Sequence, residues 1–300
     1  MSSKTLIAVV GPTAIGKTRL GIELAQHFGT EIISADSRQF FKEMQIGTAV
    51  PTREELDTVT HHFIQHISIN EPYSVGDFEH DAIAKLDSLY KSHKTVVMVG
   101  GSGLYVDAVI KGLDNFPQVD PGLRIQLNKN LENLGLVSLQ DELKKRDPNY
   151  YEQVDLENPH RVIRALEVSI SAGKPYSSFL KQDKPIRNFN AVYVGINAER
   201  EVIYDRINQR VDLMMENGLL EEAKALYSFR NLNALQTVGY RELFAHMDGS
   251  FDLATAVEEI KKNTRRFAKR QLTWLRKNEQ IIWVDYMYDL TTVLNQLQLN

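Results

Sequence analysis

Residues 11–18, GPTAIGKT, constrain the fold more than any other stretch of the chain. They complete the pattern G-x-x-x-x-G-K-[ST], and they lie between an apolar run, TLIAVV, and a helical segment, KTRLGIELAQHFG, that Gly29 closes. In such a loop the glycines let backbone N–H groups approach phosphate oxygens, while a lysine adds charge and a hydroxyl binds Mg²⁺. The sequence therefore predicts a phosphate-binding strand–loop–helix unit without naming its ligand. Its members are Gly11, Pro12, Thr13, Ala14, Ile15, Gly16, Lys17 and Thr18.

Strands and helices alternate along much of the chain. The runs EIISA, TVVMV, AVYVGI and IIWVD read as further strands, and the segment from Tyr73 to Lys94 reads as a helix in which Ser74 and Asp77 have capping-box spacing. Strands separated by helices form parallel sheets covered on both faces. The predicted fold class is α/β, with a P-loop NTPase-like core.

The stretch from about Asn115 to Asn188 departs from this alternation, because it reads as helical or irregular sequence with no convincing strand. It predicts a helical insertion domain over 115–188, inside a core made of residues 1–114 and 189–300. After Ile196 the pattern is nearly all helical until IIWVD, which predicts a helical C-terminal region.

Composition excludes several classes of protein. With 35 basic and 39 acidic residues, the chain is not one that coats nucleic acid with its whole surface. The absence of cysteine excludes disulfides, thiolate catalysis and cysteine-ligated zinc. The start of the chain has no leader pattern, and no apolar run approaches the roughly 18 residues of a membrane span. We therefore expect a cytoplasmic protein that does not enter the membrane.

The usual partner of such a loop, a strand-end carboxylate that holds Mg²⁺ for ATP, is missing after TVVMV. That strand runs instead into GGSGLY, which is either an ordinary turn or a site of close backbone approach. The nearest strand-end carboxylate is Asp36 in SADSRQFF, which could be a metal ligand, a cap or a base. His61, His62 and His66 lack suitably spaced carboxylates, so an extended run is favoured there over a metal site.

The last long helix concentrates positive charge. Lys261, Lys262, Arg265, Arg266, Lys269 and Arg270 recur in pairs every four residues. Such a run is often only solvated surface, but its position in an acidic chain favours contact with a phosphate backbone.

Seven motifs, in this order and spacing, resemble the tRNA dimethylallyltransferases: GPTAIGKT, ADSRQFF, THHFIQHIS with YSVGDF, GGSGLY, NPHRVIRALEV, VGYREL and RRFAKRQLTWLR. The resemblance runs from about Thr5 to Val284. It implies transfer of a dimethylallyl group from dimethylallyl diphosphate to N6 of the adenosine 3′-adjacent to the anticodon of tRNA. The phosphate loop would then hold the prenyl diphosphate. The end at Asn300 without cysteine resembles the bacterial form of the family, since eukaryotic relatives append a zinc finger.

The resemblance also implies roles for individual residues. Asp36 matches the general base, Lys17 and Thr18 act on the diphosphate with Mg²⁺ at Thr18, and Arg210 is a further diphosphate contact. The expected tRNA contacts, besides Asp36, are Ser37, Arg38, Gln39, Ser102, Arg124, His160, Arg161, Val162, Ile163, Arg164, Gln236, Thr237, Val238, Gly239, Tyr240, Arg241, Arg265, Arg266, Lys269 and Arg270. A monomer that flips the adenine out of its stack is expected.

Two other functions fit parts of the pattern. An ATP-dependent small-molecule kinase would use the same loop and Asp36 as base, but it leaves the basic helix unexplained. A non-catalytic RNA-binding protein with a relic of the loop would keep the helix and would not need Asp36.

Overall fold

Strand β1 (Thr5–Val10) lies inside a six-stranded sheet and is buried along its whole length. It pairs in parallel with β4 (Thr95–Val99) on one side and with β5 (Asn190–Asn197) on the other, so that Val9 lies opposite both Val99 and Val194. The computed structural model describes residues 4–180 and 185–298. Its other strands are β2 (Ile32–Ser34), β3 (His61–His62), β4 (Thr95–Val99), β5 (Asn190–Asn197) and β6 (Ile281–Asp285).

Every pairing in the sheet is parallel, and the strand order is β3-β2-β4-β1-β5-β6. The predicted α/β class with a parallel sheet is confirmed, as are the five predicted strands. The sixth, β3, contains only His61 and His62, within the run that the sequence predicts to be extended.

Alternate residues of β1 enter two separate apolar cores, one on each face of the sheet. Leu6 and Ala8 belong to one core, and Ile7 and Val9 to the other. The two-sided covering explains why the strand is a continuous apolar run and does not alternate with polar residues.

The helix after the phosphate loop and the helix that Ser74 opens lie where the sequence patterns indicate them, although the second ends at Leu89 and not at Lys94. Gly29 caps the first helix in a left-handed conformation, and Ser74 and Asp77 form the predicted capping box. The α-helices are α1 (Lys17–Phe28), α2 (Arg53–Thr58), α3 (Val75–Leu89), α4 (Gly103–Lys111), α5 (Pro121–Arg146), α6 (Pro148–Tyr151), α7 (Pro159–Ala172), α8 (Arg200–Glu216), α9 (Leu219–Leu226), α10 (Tyr240–Met247), α11 (Leu253–Leu275) and α12 (Leu290–Leu297). Short 3₁₀ turns span Tyr176–Phe179, Tyr227–Phe229 and Asn233–Leu235.

The chain divides into two compact units, residues 1–110 with 187–300, and residues 111–186. The first holds the sheet. The described part of the second contains α5, α6 and α7 around an apolar core of its own, which includes Leu127, Leu143 and Leu166. Helix α5 is interrupted at Gly135, where φ is +78°, so two helical segments meet there.

The two ends of the sheet-bearing unit are tied together where the chain leaves it and returns. The guanidinium of Arg187 donates to the carbonyl oxygen of Ala108 at 2.8 Å and pairs with the carboxylate of Glu79. The side chains of Arg187 and Glu79 are largely buried, and all three residues belong to the same unit. Contacts inside the sheet-bearing unit therefore hold Ala108 and Arg187, which flank the insertion, next to each other.

Across residues 4–180 and 185–298, no helix is both long and apolar enough to cross a membrane.

Candidate active site

The phosphate loop occupies the predicted place between β1 and α1. No side chain caps the first turn of α1, whose N-cap is Gly16, and Ala14 adopts a left-handed conformation with φ +64°. The N–H groups at the start of this helix and its positive dipole end are thus available to an anion.

Lys17 lies inside this loop with its ammonium partly desolvated. Its Nζ donates to the carbonyl oxygen of Pro12 at 2.8 Å. Burial lowers the pKa of Lys17 to about 8; the carboxylate of Asp36 opposes that shift and the guanidinium of Arg210 adds to it. Lys17, Asp36 and Arg210 are far apart in sequence but lie close enough in the structure for their charges to interact.

Arg210, on α8, is a mostly buried cation with no hydrogen bond or ion pair to any described residue. Desolvation lowers its pKa, and the neighbouring charge of Arg206 lowers it further, while Asp36 raises it. A desolvated guanidinium without a carboxylate partner is suited to bind an anionic ligand.

Asp36 follows β2 and lies at the carboxyl edge of the sheet, the edge at which the phosphate loop follows β1. One oxygen of its carboxylate accepts a hydrogen bond of 3.1 Å from the backbone N–H of Arg38. No ion pair to a described residue occupies the carboxylate, so it can accept a proton from a ligand.

The segment after Asp36 is held by the glycine turn that follows β4. The backbone N–H of Ser37 donates to Oγ of Ser102 at 3.3 Å, and the two hydroxyl oxygens lie 3.2 Å apart. Arg38 donates to the carbonyl oxygens of Asn233 and Ala234, each at 3.0 Å. These contacts fix the segment on both sides.

Gln39 uses its amide for the protein. Its Nε2 donates to the carbonyl oxygens of Thr48 and Ala49, and its Oε1 accepts from the hydroxyl of Ser34. The predicted contact of Gln39 with the nucleotide remains a prediction, and its structural role is to shape the loop up to Ala49.

Two residues that bind the phosphate loop were not predicted. Arg206 donates from Nε to the carbonyl oxygen of Ala14 at 2.8 Å. Gln271, on α11, accepts a hydrogen bond from the backbone N–H of Thr13 at 2.9 Å and donates to the carbonyl oxygen of Gly101 at 2.8 Å. In the sequence, Arg206 stands one helical turn before the predicted Arg210, and Gln271 directly follows the predicted Arg270, but neither position indicated a contact with the phosphate loop.

Within residues 111–186, the structure separates the predicted RNA contacts into two groups. Val162 and Ile163 are buried in the apolar core of this unit, where they support the helix, and their predicted contact with RNA stays a prediction. His160 and Arg161 are exposed on α7.

Arg124 and Arg164 both approach a buried carboxylate. Arg124 forms a bidentate ion pair with Glu167, whose side chain is 3 % exposed, and Arg164 lies 3.7 Å from the same group. The guanidinium of Arg164 also stacks 5.3 Å from the ring centre of Phe116. Because Glu167 is buried, a structural role accompanies the predicted RNA contact of these two arginines.

The VGYREL segment is also divided. Tyr240 is fully buried and donates to Glu222 at 2.6 Å, and its predicted contact with RNA stays a prediction. Glu222 in turn accepts from the backbone N–H groups of residues 45, 46 and 47. Gly239 is likewise buried, whereas Gln236 and Arg241 are exposed and Thr237 and Val238 are partly exposed.

The charges of α11 are unequal. Lys261 pairs with Asp212 and Glu258, and Lys262 pairs with Glu259. No described carboxylate forms an ion pair with the other predicted contacts of this helix, which are Arg265, Arg266, Lys269 and Arg270. The uncompensated charge therefore begins at Arg265.

In the part of the chain that the structure describes, no group of three or more His, Asp or Glu side chains could hold a metal ion. Nε2 of His62 lies 2.5 Å from Oε2 of Glu31, and His66 packs edge-on against Phe40 and Tyr73.

Comparison with known proteins points to one family. The profile of the IPP transferase family matches residues 39–278. The chain is 63% identical to the tRNA dimethylallyltransferase of Christiangramia forsetii over 284 residues, which cover 95% of this chain and 94% of that relative. It is 57% identical to the tRNA dimethylallyltransferase of Flavobacterium johnsoniae over 300 residues, with 98% and 97% coverage.

Solved structures agree. The tRNA isopentenylpyrophosphate transferase of Bacillus halodurans matches with a TM-score of 0.72 and 38% identity, over 98% of this chain and 94% of that one. A eukaryotic dimethylallyltransferase crystallised as it acts on tRNA matches with a TM-score of 0.79 and 27% identity, over 97% and 76%. With its parallel sheet and its phosphate loop, and with identity to relatives along nearly its whole length, the chain belongs to the IPP transferase family.

Proposed function

We propose that this chain transfers a dimethylallyl group from dimethylallyl diphosphate to N6 of the adenosine 3′-adjacent to the anticodon in tRNA, and releases diphosphate. The observation that carries the proposal is the convergence of Lys17, Arg210 and Asp36 at one edge of the sheet. Two desolvated cations suit a diphosphate, and a carboxylate beside them suits a proton acceptor.

In the proposed reaction each of these three groups has a role. N6 of adenine attacks C1 of the prenyl group, the C1–O bond breaks, and the bond pair leaves with the diphosphate. Lys17 and Arg210 stabilise the negative charge that grows on the leaving oxygen. The proton of the N6 amine passes to the carboxylate of Asp36, which makes the weakly nucleophilic amine able to attack.

The loop also fits a divalent ion. The hydroxyl of Thr18 opens α1 beside the phosphate loop and makes no hydrogen bond to a described residue. Mg²⁺ typically takes one or two protein ligands and completes its shell with phosphate oxygens and water, so Thr18 would hold it. When bound, it would add charge stabilisation at the diphosphate.

The RNA brings its base to this site from outside the helix stack. Chemistry on N6 requires the adenine to be unstacked. The two hydrogen-bonded loops that carry Asp36 with Ser37 and Ser102 offer polar groups that would receive the unstacked base. The exposed residues His160, Arg161, Gln236 and Arg241, with the unpaired cations of α11, would bind the surrounding RNA. We propose that the protein acts on tRNA in the cytoplasm as a monomer.

Unmodified tRNA incubated with dimethylallyl diphosphate and Mg²⁺, followed by nucleoside analysis, tests the proposal. Prenylated adenosine should form with the parent protein, and Lys17→Ala and Thr18→Ala should suppress its formation. Parallel titrations with ATP separate the kinase function. Tight ATP binding lost in Lys17→Ala, with no prenyl transfer, would assign the loop to a kinase.

A further inference from the structure

Helix α11 faces two parts of the proposed site at once. Lys269 and Arg270 are exposed, whereas Gln271, the next residue, is 9 % exposed and turned toward the sheet edge. Trp274, one turn later, also faces inward. The element that carries the unpaired cations therefore also supplies side chains to the phosphate loop.

The amide of Gln271 joins two loops that are far apart in sequence. Its oxygen accepts from the backbone N–H of Thr13 in the phosphate loop at 2.9 Å, and its nitrogen donates to the carbonyl oxygen of Gly101 at 2.8 Å. An amide can accept through its oxygen and donate through its nitrogen at the same time. Both of its polar atoms are used.

Close contact with α11 explains two glycines that follow β4, Gly101 and Gly103. A Cβ on Gly101 would lie 2.6 Å from Nε2 of Gln271, and a Cβ on Gly103 would lie 2.4 Å from the ring of Trp274. The same added atom on Gly101 would lie 3.6 Å from Nζ of Lys17. The turn is thus packed between α11 and the ammonium of the phosphate loop.

Ser102, between these two glycines, continues the connection. Its Oγ accepts from the backbone N–H of Ser37, the residue after Asp36. The path from Gln271 runs through Gly101 and Ser102 to the segment that carries the carboxylate. One side chain therefore touches the loop that would bind diphosphate and the turn that supports the proposed base.

We propose that Gln271 is a positioning residue that fixes the phosphate loop relative to the Asp36 segment. It makes the diphosphate site depend on the placement of α11. The inference rests on the proposed function where it treats Asp36 as the base of the reaction. The expected effect of Gln271 on diphosphate binding does not require prenyl transfer.

The test compares Gln271→Leu, which removes both hydrogen bonds, with Gln271→Glu, which keeps only the acceptor. Titration of the full chain with inorganic diphosphate in Mg²⁺ should show affinity lowered about tenfold in Gln271→Leu, as expected for the loss of two neutral hydrogen bonds. Gln271→Glu should bind still more weakly, because it also places negative charge beside the loop. The affinity of both variants for tRNA, measured in the absence of dimethylallyl diphosphate, should stay within about twofold of the parent value.

Gln140→Ala is the matched control. Gln140 also donates from Nε2 to a backbone carbonyl, that of Leu156, at 3.0 Å, but it lies in the unit of residues 111–186. Gln140→Ala should lower the melting temperature without changing diphosphate affinity. A loss of affinity in the Gln271 variants would then not be explained by lowered stability alone.

Gly101→Ala adds a second readout. Its methyl group and the amide of Gln271 compete for the same space, so the losses of diphosphate affinity in Gly101→Ala and Gln271→Ala should not add in the double variant. Additive losses of diphosphate affinity in the double variant would overturn the inference. Unchanged diphosphate affinity in Gln271→Leu and Gln271→Glu would also overturn it. If the parent protein bound diphosphate without prenylating tRNA, the proposed function would fail while weaker binding by Gln271→Leu would still support the positioning role.

Discussion

Arg206 and Arg210, one turn apart on α8, have opposite surroundings. Nε of Arg206 donates to the carbonyl oxygen of Ala14 at 2.8 Å, whereas Arg210 has no hydrogen-bond or ion-pair partner in the ranges 4–180 and 185–298. The ring of Tyr286 lies 5.8 Å from the guanidinium of Arg206 and helps to place it. Arg206 therefore holds the phosphate loop in shape, and Arg210 remains available to a ligand.

This difference predicts unequal effects of the same substitution. Arg210→Met should lower diphosphate affinity about 10- to 100-fold, because it removes charge-assisted hydrogen bonds to the ligand. Arg206→Met should cost less than about tenfold, because the loop keeps its other contacts. Arg200→Met, on the exposed first turn of the same helix, is the control for removal of charge alone. Equal losses in Arg206→Met and Arg210→Met would contradict the assignment.

Asp36→Ala should slow prenyl transfer about 10²- to 10⁴-fold and leave tRNA affinity nearly unchanged, since proton acceptance contributes to the chemical step. Asp36→Asn provides a closer comparison, because its side-chain oxygen can still accept from the N–H of Arg38. Single-turnover rates with bound tRNA measure the effect. Normal rates in both variants would remove Asp36 from the role of base.

Diphosphate affinity should fall as pH rises through the range in which Lys17 loses its proton. The pKa of Lys17 in the free protein is about 8, so its ammonium is present below that value and lost above it. Titrations from pH 6.5 to about 9.5 should show this fall in the parent protein. Lys17→Arg keeps its charge over the range and should give a flatter profile.

The same group affects folding with the opposite sign. Because the folded pKa lies below the unfolded value of about 10.4, the unfolded chain binds more protons between these values, and the free energy of unfolding should rise with pH there. Lys17→Met should remove this dependence and stabilise the unliganded protein below pH 8 by about 1 to 3 kcal/mol. Denaturant unfolding at pH 7 and pH 10 measures both effects, and a destabilised Lys17→Met would contradict them.

Removal of positive charge from α11 should weaken tRNA binding, and the loss should grow with the number of unpaired cations that are replaced. Substitution of Arg265, Arg266, Lys269 and Arg270 by Met should flatten the slope of log K against log salt by roughly 0.7 to 0.9 for each phosphate that no longer has a cationic partner.

Lys261→Met with Lys262→Met is the matched control for that helix, because acidic side chains already neutralise both lysines. Its slope should stay close to that of the parent. If all variants kept the parent slope, α11 would be a solvated face.

The core fold was readable from sequence because its signals are local. The run TLIAVV followed by GPTAIGKT defines a buried strand, a loop and a helix within a short segment, and the capping box at Ser74 marks the start of α3 without tertiary information. Strand β3 was harder, since its two residues carry little periodicity and pair only through the fold.

The supporting residues of the site could not be read in this way. Gln271 contacts Thr13 across 258 positions, and Arg206 contacts Ala14 across 192. Motif positions also did not reveal burial, since Val162, Ile163 and Tyr240 lie among predicted RNA contacts but fill cores. Contacts set by tertiary packing require the structure.

The bond between Arg187 and Ala108 has a consequence for how this architecture can vary. Because the carbonyl of Ala108 and the side chain of Arg187 meet inside the sheet-bearing unit, the intervening chain is a loop whose closure the core already secures. The entropic cost of a closed loop grows only slowly with its length. We therefore expect that residues 111–186 can be lengthened, shortened or exchanged for the equivalent segment of a relative with little effect on the stability of the sheet. The melting temperature of such a chimaera, compared with that of the parent protein, would measure how far the sheet-bearing unit is independent of the inserted segment.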